Sequence, residues 1–126
     1  MPINPKKIVV LDDEESLRVL LTSELASEGY EAFSFASKPE GYDWIAVNQP
    51  DLIISDITSP DISGLDLLKL LKQNPQTANI PFLFITANQS IANATLSMKL
   101  GAADMISKPY DLVHLLHTIA RILNEK

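Results

Sequence analysis

Five groups in this sequence are suited to chemistry: the adjacent carboxyls of Asp12 and Asp13, the carboxyl of Asp56, the hydroxyl of Thr86 and the ammonium of Lys108. Each stands at the end of a short apolar run. Asp12-Asp13 follow Lys7–Leu11, Asp56 follows Leu52–Ser55, Thr86 follows Ile80–Ile85 and Lys108 follows Ala103–Ser107. Three carboxylates brought together repel one another, and a hard divalent cation is the usual reason a protein tolerates that. Mg²⁺ takes oxygen ligands, keeps several waters and commonly shares its carboxylates with a phosphate. The Lys108 ammonium and Thr86 hydroxyl suit phosphate oxygens, and a carboxylate is a competent nucleophile toward phosphorus. The collection points to phosphoryl transfer, where positioning and charge neutralisation do most of the catalysis. The chain has no cysteine, and its two histidines, His114 and His117, both lie in the last helical segment, so zinc and copper fit poorly.

Taken singly, each signal has a plainer reading. Asp12-Asp13 could be a helix N-cap with a first-turn acid. Asp56 could cap or close a turn, and Ser107-Lys108-Pro109 could be ordinary strand-exit chemistry. Gly64 reads most simply as a turn residue with positive φ ahead of a helix at Leu65. His114 and His117 read as surface or packing residues, and Tyr42 and Trp44 as core and partial-surface packing. Only the combination of these groups points to a site.

The elements that would position these groups alternate strictly. Lys7–Leu11 and Leu52–Ser55 are β-branched apolar runs of the kind found in strands buried on both faces. Tyr30–Phe35 alternates, as an edge strand would. Ile80–Ile85 and Ala103–Ser107 complete five strands. Between them lie helical patterns: one with Leu17, Leu20, Leu21 and Leu25 on a common face and Gly29 as its stop, Lys38–Asn48 with Pro39 in its first turn, Leu65–Gln73 ended by Asn74-Pro75, and Ser90–Leu100 closed by Gly101. The last helix, Asp111–Leu123, carries Leu112, Leu115, Leu116 and Ile119 on its core face, with Val113, Ala120 and Ile122 adding to the core or to a docking surface. Five strands and five helices in βα order imply a parallel sheet with helices on both faces and right-handed crossovers. Ligands of such sheets bind outside the carboxyl ends of the strands, where strand order reverses. An order of 2-1-3-4-5 would bring the three carboxylates together there, but alternation does not set the order.

At 126 residues with 46% apolar content, the chain is expected to form one domain over 1–126, with Met1–Pro5 a loose tail. Lack of cysteine fits a reducing compartment, and no signal peptide or bilayer-length apolar run is visible, so a cytoplasmic, membrane-free protein is expected. The net charge is −6 and the ten Lys and Arg are scattered, which argues against direct nucleic-acid binding.

The chain resembles a bacterial response-regulator receiver domain over nearly all its length. The matching motifs are Val-Leu-Asp-Asp-Glu at 10–14, Ser-Asp-Ile-Thr-Ser-Pro-Asp-Ile-Ser-Gly at 55–64, Thr-Ala at 86–87 and Ser-Lys-Pro-Tyr at 107–110. The resemblance implies an α/β, flavodoxin-like doubly wound fold with strand order 2-1-3-4-5. It implies Asp56 as phosphoacceptor and a Mg²⁺ ion held by Asp12, Asp13, Asp56 and the Thr58 backbone carbonyl. Lys108 would neutralise the phosphoryl group, Thr86 would hydrogen-bond it and draw the following loop inward, and Lys108-Pro109 would be cis. The implied partners are a histidine kinase or His-phosphotransfer protein and an output protein on the face of the fourth helix, fifth strand and fifth helix. The chain would not be an enzyme beyond its own phosphorylation and dephosphorylation. It departs from the pattern in three places. Met105 stands where most relatives carry a switch aromatic, Ser59 precedes Pro60 where a Met is common, and Thr58 and Asn88 fill the positions that influence phosphoryl lifetime. A degenerate receiver and a small-substrate hydrolase are the competing readings. The complete acid set with Thr86 and Lys108 argues against the first. Thr58, in place of a second Asp two residues past the nucleophile, argues against the second.

Overall fold

The computed structural model describes residues 5–58, 62–87 and 90–124. Its elements run β1 (Lys7–Leu11), α1 (Glu15–Ser27), β2 (Glu31–Phe35), α2 (Lys38–Asn48), β3 (Leu52–Ser55), α3 (Gly64–Gln73), β4 (Phe82–Thr86), α4 (Ile91–Lys99), β5 (Asp104–Ser107) and α5 (Leu112–Ile122). All strand pairs are parallel, in the order β2-β1-β3-β4-β5. This is the doubly wound architecture that the alternation and the resemblance led one to expect.

Strand residues two apart share a face, and that divides the core. Ile8, Val10, Leu52, Ile54, Leu83, Ile85 and Ile106 pack with Leu21 and Leu25 of α1 and Leu115 and Ile119 of α5. Val9, Leu11, Ile53, Phe82 and Phe84 pack on the other side with Ile45 of α2 and Leu67, Leu68 and Leu71 of α3. At the β2 edge, Phe33 and Phe35 lie 4.7 and 5.8 Å from the Trp44 ring, so half-buried aromatics cover the strand that lacks a second neighbour.

Local chemistry fixes the boundaries. The side chains of Ser37, Ser63, Ser90 and Asp111 cap α2, α3, α4 and α5, each accepting from a backbone N–H in the first turn. Gly29 and Gly101, at φ of 91° and 99°, end α1 and α4 in the left-handed conformation. Asn74 is extended, as a residue before proline must be, and stops α3.

Three expectations are corrected. β4 starts at Phe82, not Ile80: the Ile80 N–H donates to Thr77 within a turn, and Pro81 has no N–H for the ladder. Leu20 is 55% exposed; it lies one residue's rotation, about 100°, from the buried Leu21, off the α1 core stripe. Val113 is 62% exposed for the same reason on α5, so it belongs to the surface alternative and not to the core. Ser59, Pro60 and Asn88 and most of the Met1–Pro5 segment lie outside the described residues. No helix among the described residues is long and apolar enough to cross a membrane.

Candidate functional site

The parallel register of the two central strands builds the site. Leu11 of β1 pairs with Ser55 of β3, so Asp12 and Asp56, each the next residue, emerge side by side at the carboxyl edge. The ladders run one step further, with Asp56 N–H donating to Leu11 O at 3.3 Å and Lys108 N–H to Thr86 O at 3.0 Å. From β1 the chain crosses to one side of the sheet and from β3 to the other, which opens the crevice at this edge.

The side chains converge on one ammonium. Lys108 Nζ donates to Asp12 Oδ2 and to Asp56 Oδ2, each at 2.8 Å. Both carboxylates are buried, Asp12 to 4% exposure and Asp56 to 8%. Asp12 Oδ1 accepts from the Glu14 N–H at 2.9 Å, so this acid serves both the start of α1 and the site. Asp56 Oδ1 accepts from the Thr58 N–H at 3.2 Å and its hydroxyl at 3.4 Å. Burial would raise the Asp56 pKa, but hydrogen bonds from Lys108, Thr86 and the Thr58 N–H, with the Lys108 charge, outweigh it and hold the carboxyl below its ordinary 3.8. Burial would likewise lower the Lys108 pKa, but the two carboxylates outweigh it and raise that value above 10.5. Thr86 is fully buried at the end of β4, and the Lys108–Pro109 bond is cis. Asp13, next to Asp12, is exposed.

The side chains that share Lys108 here, Asp12 and Asp56, offer only oxygen to a cation. Among the described residues no three His, Cys, Asp or Glu side chains are grouped as a metal site, Asp12, Asp13 and Asp56 included. Two buried carboxylates that offer oxygen alone suit Mg²⁺, which binds through one or two carboxylates and keeps its waters. His114 and His117 are both exposed on α5, away from this edge of β1 and β3. Met105 is half-buried against the core on the α3 side, with His114 and Tyr110 lining the same surface cavity of about 360 Å³.

Some participants escaped the sequence reading. Arg18 Nη1 donates to the Asp12 carbonyl at 2.8 Å, and Tyr110 Oη donates to Glu24 Oε1 at 2.7 Å, tying the residue after Pro109 to α1. Lys38, read as the start of a helix, is 2% exposed and directs Nζ at the Thr58 carbonyl, 3.3 Å away. A lysine next to a capping serine carries no sequence signal of burial.

Gly64 is corrected as well. It is the first residue of α3, and its φ is not in the left-handed range. It is needed for space: a Cβ there would stand 2.3 Å from the Asp56 carbonyl oxygen and 2.7 Å from the Phe84 ring. Its N–H donates to Ile57 O at 2.6 Å, drawing α3 back onto the strand end that bears Asp56. Gly64→Ala should therefore cost about 2–3 kcal/mol of stability through overpacking, read as a lower urea midpoint. An unchanged midpoint would mean that the loop can withdraw from Asp56 freely.

Known proteins resemble this chain in sequence and fold. The family model described as the response regulator receiver domain matches residues 8–120. The chain is 32% identical over 117 residues to the phosphate regulon transcriptional regulatory protein PhoB of Rhizobium meliloti, covering 93% of this chain and 52% of that protein. It is 33% identical over 117 residues to the DNA-binding transcriptional regulator NtrC of Azospirillum brasilense, covering 93% and 24%. The chain thus spans about half, or less, of the length of these relatives. Among solved structures, a putative response regulator from Chloroflexus aurantiacus superposes with a TM-score of 0.90 at 31% identity, covering 97% of this chain and 100% of that one. The Vibrio cholerae chemotaxis protein CheY4 gives 0.89 at 27%, covering 94% and 99%. The chain therefore belongs to the response regulator receiver domain family, whose members are two-component signalling switches rather than classical enzymes and are generally Mg²⁺-dependent.

Proposed function

We propose that this chain is one receiver domain over 1–126 and a phosphorylation-dependent switch, in which Asp56 accepts a phosphoryl group from a histidine kinase or His-phosphotransfer protein. The observation that carries the reading is the single Lys108 ammonium shared at 2.8 Å by Asp12 and Asp56, on the two central strands. Asp12, Asp13, Asp56 and the Thr58 carbonyl would hold Mg²⁺, which would supply charge neutralisation for the phosphate oxygens. An Asp56 oxygen forms the new bond to phosphorus, and the donor's leaving atom departs with the electron pair of the bond that breaks. Lys108 then offsets the added charge, about −1.5 to −2 at neutral pH for a side-chain phosphate, and Thr86 hydrogen-bonds a phosphoryl oxygen. Output passes to a partner protein on the α4–β5–α5 face, where Val113 and His114 are exposed and Met105 is half-buried. The chain works in the cytoplasm and has no direct contact with nucleic acid or membrane. Intact mass after incubation with acetyl phosphate tests the reading: one phosphoryl adduct with Mg²⁺ and none with chelator. No adduct under either condition would overturn it.

Met105 shapes the switch. An aromatic ring has few rotamers, so inward and outward states of a ring at this position would differ sharply in energy. Methionine has three soft torsions and fills irregular gaps in several ways, so its two states differ less. A modification shifts an equilibrium only through its differential free energy between states. The response runs instead through the loop after Thr86 and the helix α4. Met105→Ala should change the ratio of partner affinities with and without a phosphoryl mimic by less than about tenfold, or ~1.4 kcal/mol of coupling. A larger collapse, with fold and phosphorylation intact, would make Met105 a true switch residue.

A further inference from the structure

Lys38 begins α2, yet it is among the most buried charged residues described, at 2% exposure. An ammonium withdrawn from water needs acceptors, and the Thr58 carbonyl, 3.3 Å from Lys38 Nζ, is among those it has. That distance is long for a charge-assisted bond, which normally falls at about 2.7–2.9 Å. The same Thr58 directs its N–H and hydroxyl at Asp56 Oδ1, at 3.2 and 3.4 Å. A second ammonium, that of Lys38, thus contacts the residue whose N–H and hydroxyl face Asp56 Oδ1, while Lys108 takes Oδ2.

We infer that Lys38 is a positioning residue that engages the Thr58 carbonyl and opposes a divalent cation at the pocket, setting cation affinity below what the oxygen donors would otherwise give. The inference rests on the reading of Asp12, Asp56 and Thr58 as the cation site. Two physical effects act in the same direction. A carbonyl that already accepts from an ammonium offers less electron density to a second cation. The unit charge of Lys38 also repels a double charge placed a few ångströms away, in surroundings where Coulomb energies are well above their value in water. A purely structural Lys38, one that only ties α2 to the β3–α3 loop, would have the opposite signature: removing it would loosen Thr58 and weaken cation binding. The sign of the change separates the two roles.

The experiment is calorimetric titration of the whole chain with MgCl₂, for wild type, Lys38→Met and Lys38→Arg. Lys38→Met keeps the length and apolar stem and removes the charge, and it should bind Mg²⁺ at least about fivefold more tightly. Lys38→Arg keeps the charge and should stay within about twofold of wild type. Equal or weaker binding by Lys38→Met would overturn the inference. If that variant does not fold, the wild type decides. The side-chain methylene signal of Lys38 beside Nζ should shift on adding Mg²⁺ with the calorimetric midpoint, and a signal that stays still at saturation would overturn the inference equally. Wild type that binds Mg²⁺ with no gain in Lys38→Met removes the role of Lys38 alone. Wild type that binds no Mg²⁺ removes the cation site and the inference with it.

Discussion

Asp56→Asn should show no Mg²⁺-dependent mass gain from acetyl phosphate, while the wild type gains one phosphoryl group. Asparagine keeps the shape and the acceptor oxygen for Thr58 but has no carboxylate to attack phosphorus. Asp12 is equally close to Lys108 and, like Asp56, has its other oxygen engaged by a backbone N–H, so this variant decides between the two acids. A phosphoryl adduct on Asp12 or Asp13 in this variant would overturn the assignment of Asp56. The fold should survive the change, because one of two carboxylates sharing one ammonium has been removed. The pH dependence should change with it. In the wild type the Asp56 pKa is lowered in the folded state, so its stabilising contribution is present above 3.8 and is lost as pH falls through the lowered value. That part of the acid-induced loss should be missing from Asp56→Asn in urea titrations taken across the acid range.

Lys108→Met should have the largest effect on stability. Its ammonium is the shared partner of two carboxylates whose side chains are 4% and 10% exposed. Methionine fills the space but leaves both anions buried, with their facing oxygens no more than twice 2.8 Å apart before the change. Breaking a buried pair by removing one member is costly, and about 3 kcal/mol is expected here at neutral pH, at the low end because Lys108 keeps some solvent contact. The sign of the pH dependence should also invert. Without the ammonium, the burial that already acts to raise the Asp56 pKa is no longer offset by Lys108, so the variant should regain stability as pH falls toward the raised value. Mg²⁺ should recover part of the loss, since a cation bound to the folded state stabilises it. Phosphorylation should be slow, and a phosphoryl mimic should no longer change partner affinity. A variant with wild-type stability and a full response to the mimic would leave Lys108 with a minor role.

Much of this architecture can be read from residue order. Buried strands announce themselves as β-branched runs, so the bounds of β1 and β3 are legible to the residue, and serine, glycine and proline mark most helix ends. The groups Asp12, Asp56 and Lys108 are legible because each stands just past such a run, and a parallel sheet gathers the residues beyond its strand ends along one edge. The rest is not legible because it depends on three-dimensional crowding. Gly64 looks like a turn glycine until the Asp56 carbonyl is seen against it. Leu20 and Val113 match an apolar stripe by type, and only the width of the buried face leaves them outside. Pro81 shifts the start of β4 through a missing donor that an apolar run conceals. Lys38 is ordinary as a letter in the sequence, and only its place in the fold, with Nζ against the Thr58 carbonyl, shows that it is withdrawn from water.

The strands that form the site differ in how deeply they are held. Every residue of β3 is buried, as are four of the five in β1, and each of these strands is bordered by a partner on both sides. β5 is an outer strand with one buried residue, Ile106, and it leads straight into Lys108. Local openings in proteins track such differences, and peripheral strands separate at lower free energy than central ones. Asp12 and Asp56 should therefore be anchored to backbone that opens last, whereas the ammonium they share should hang from backbone that opens sooner. A fluctuation at the sheet margin would uncover both anions together, leaving the acceptor in place while its counter-charge is briefly absent.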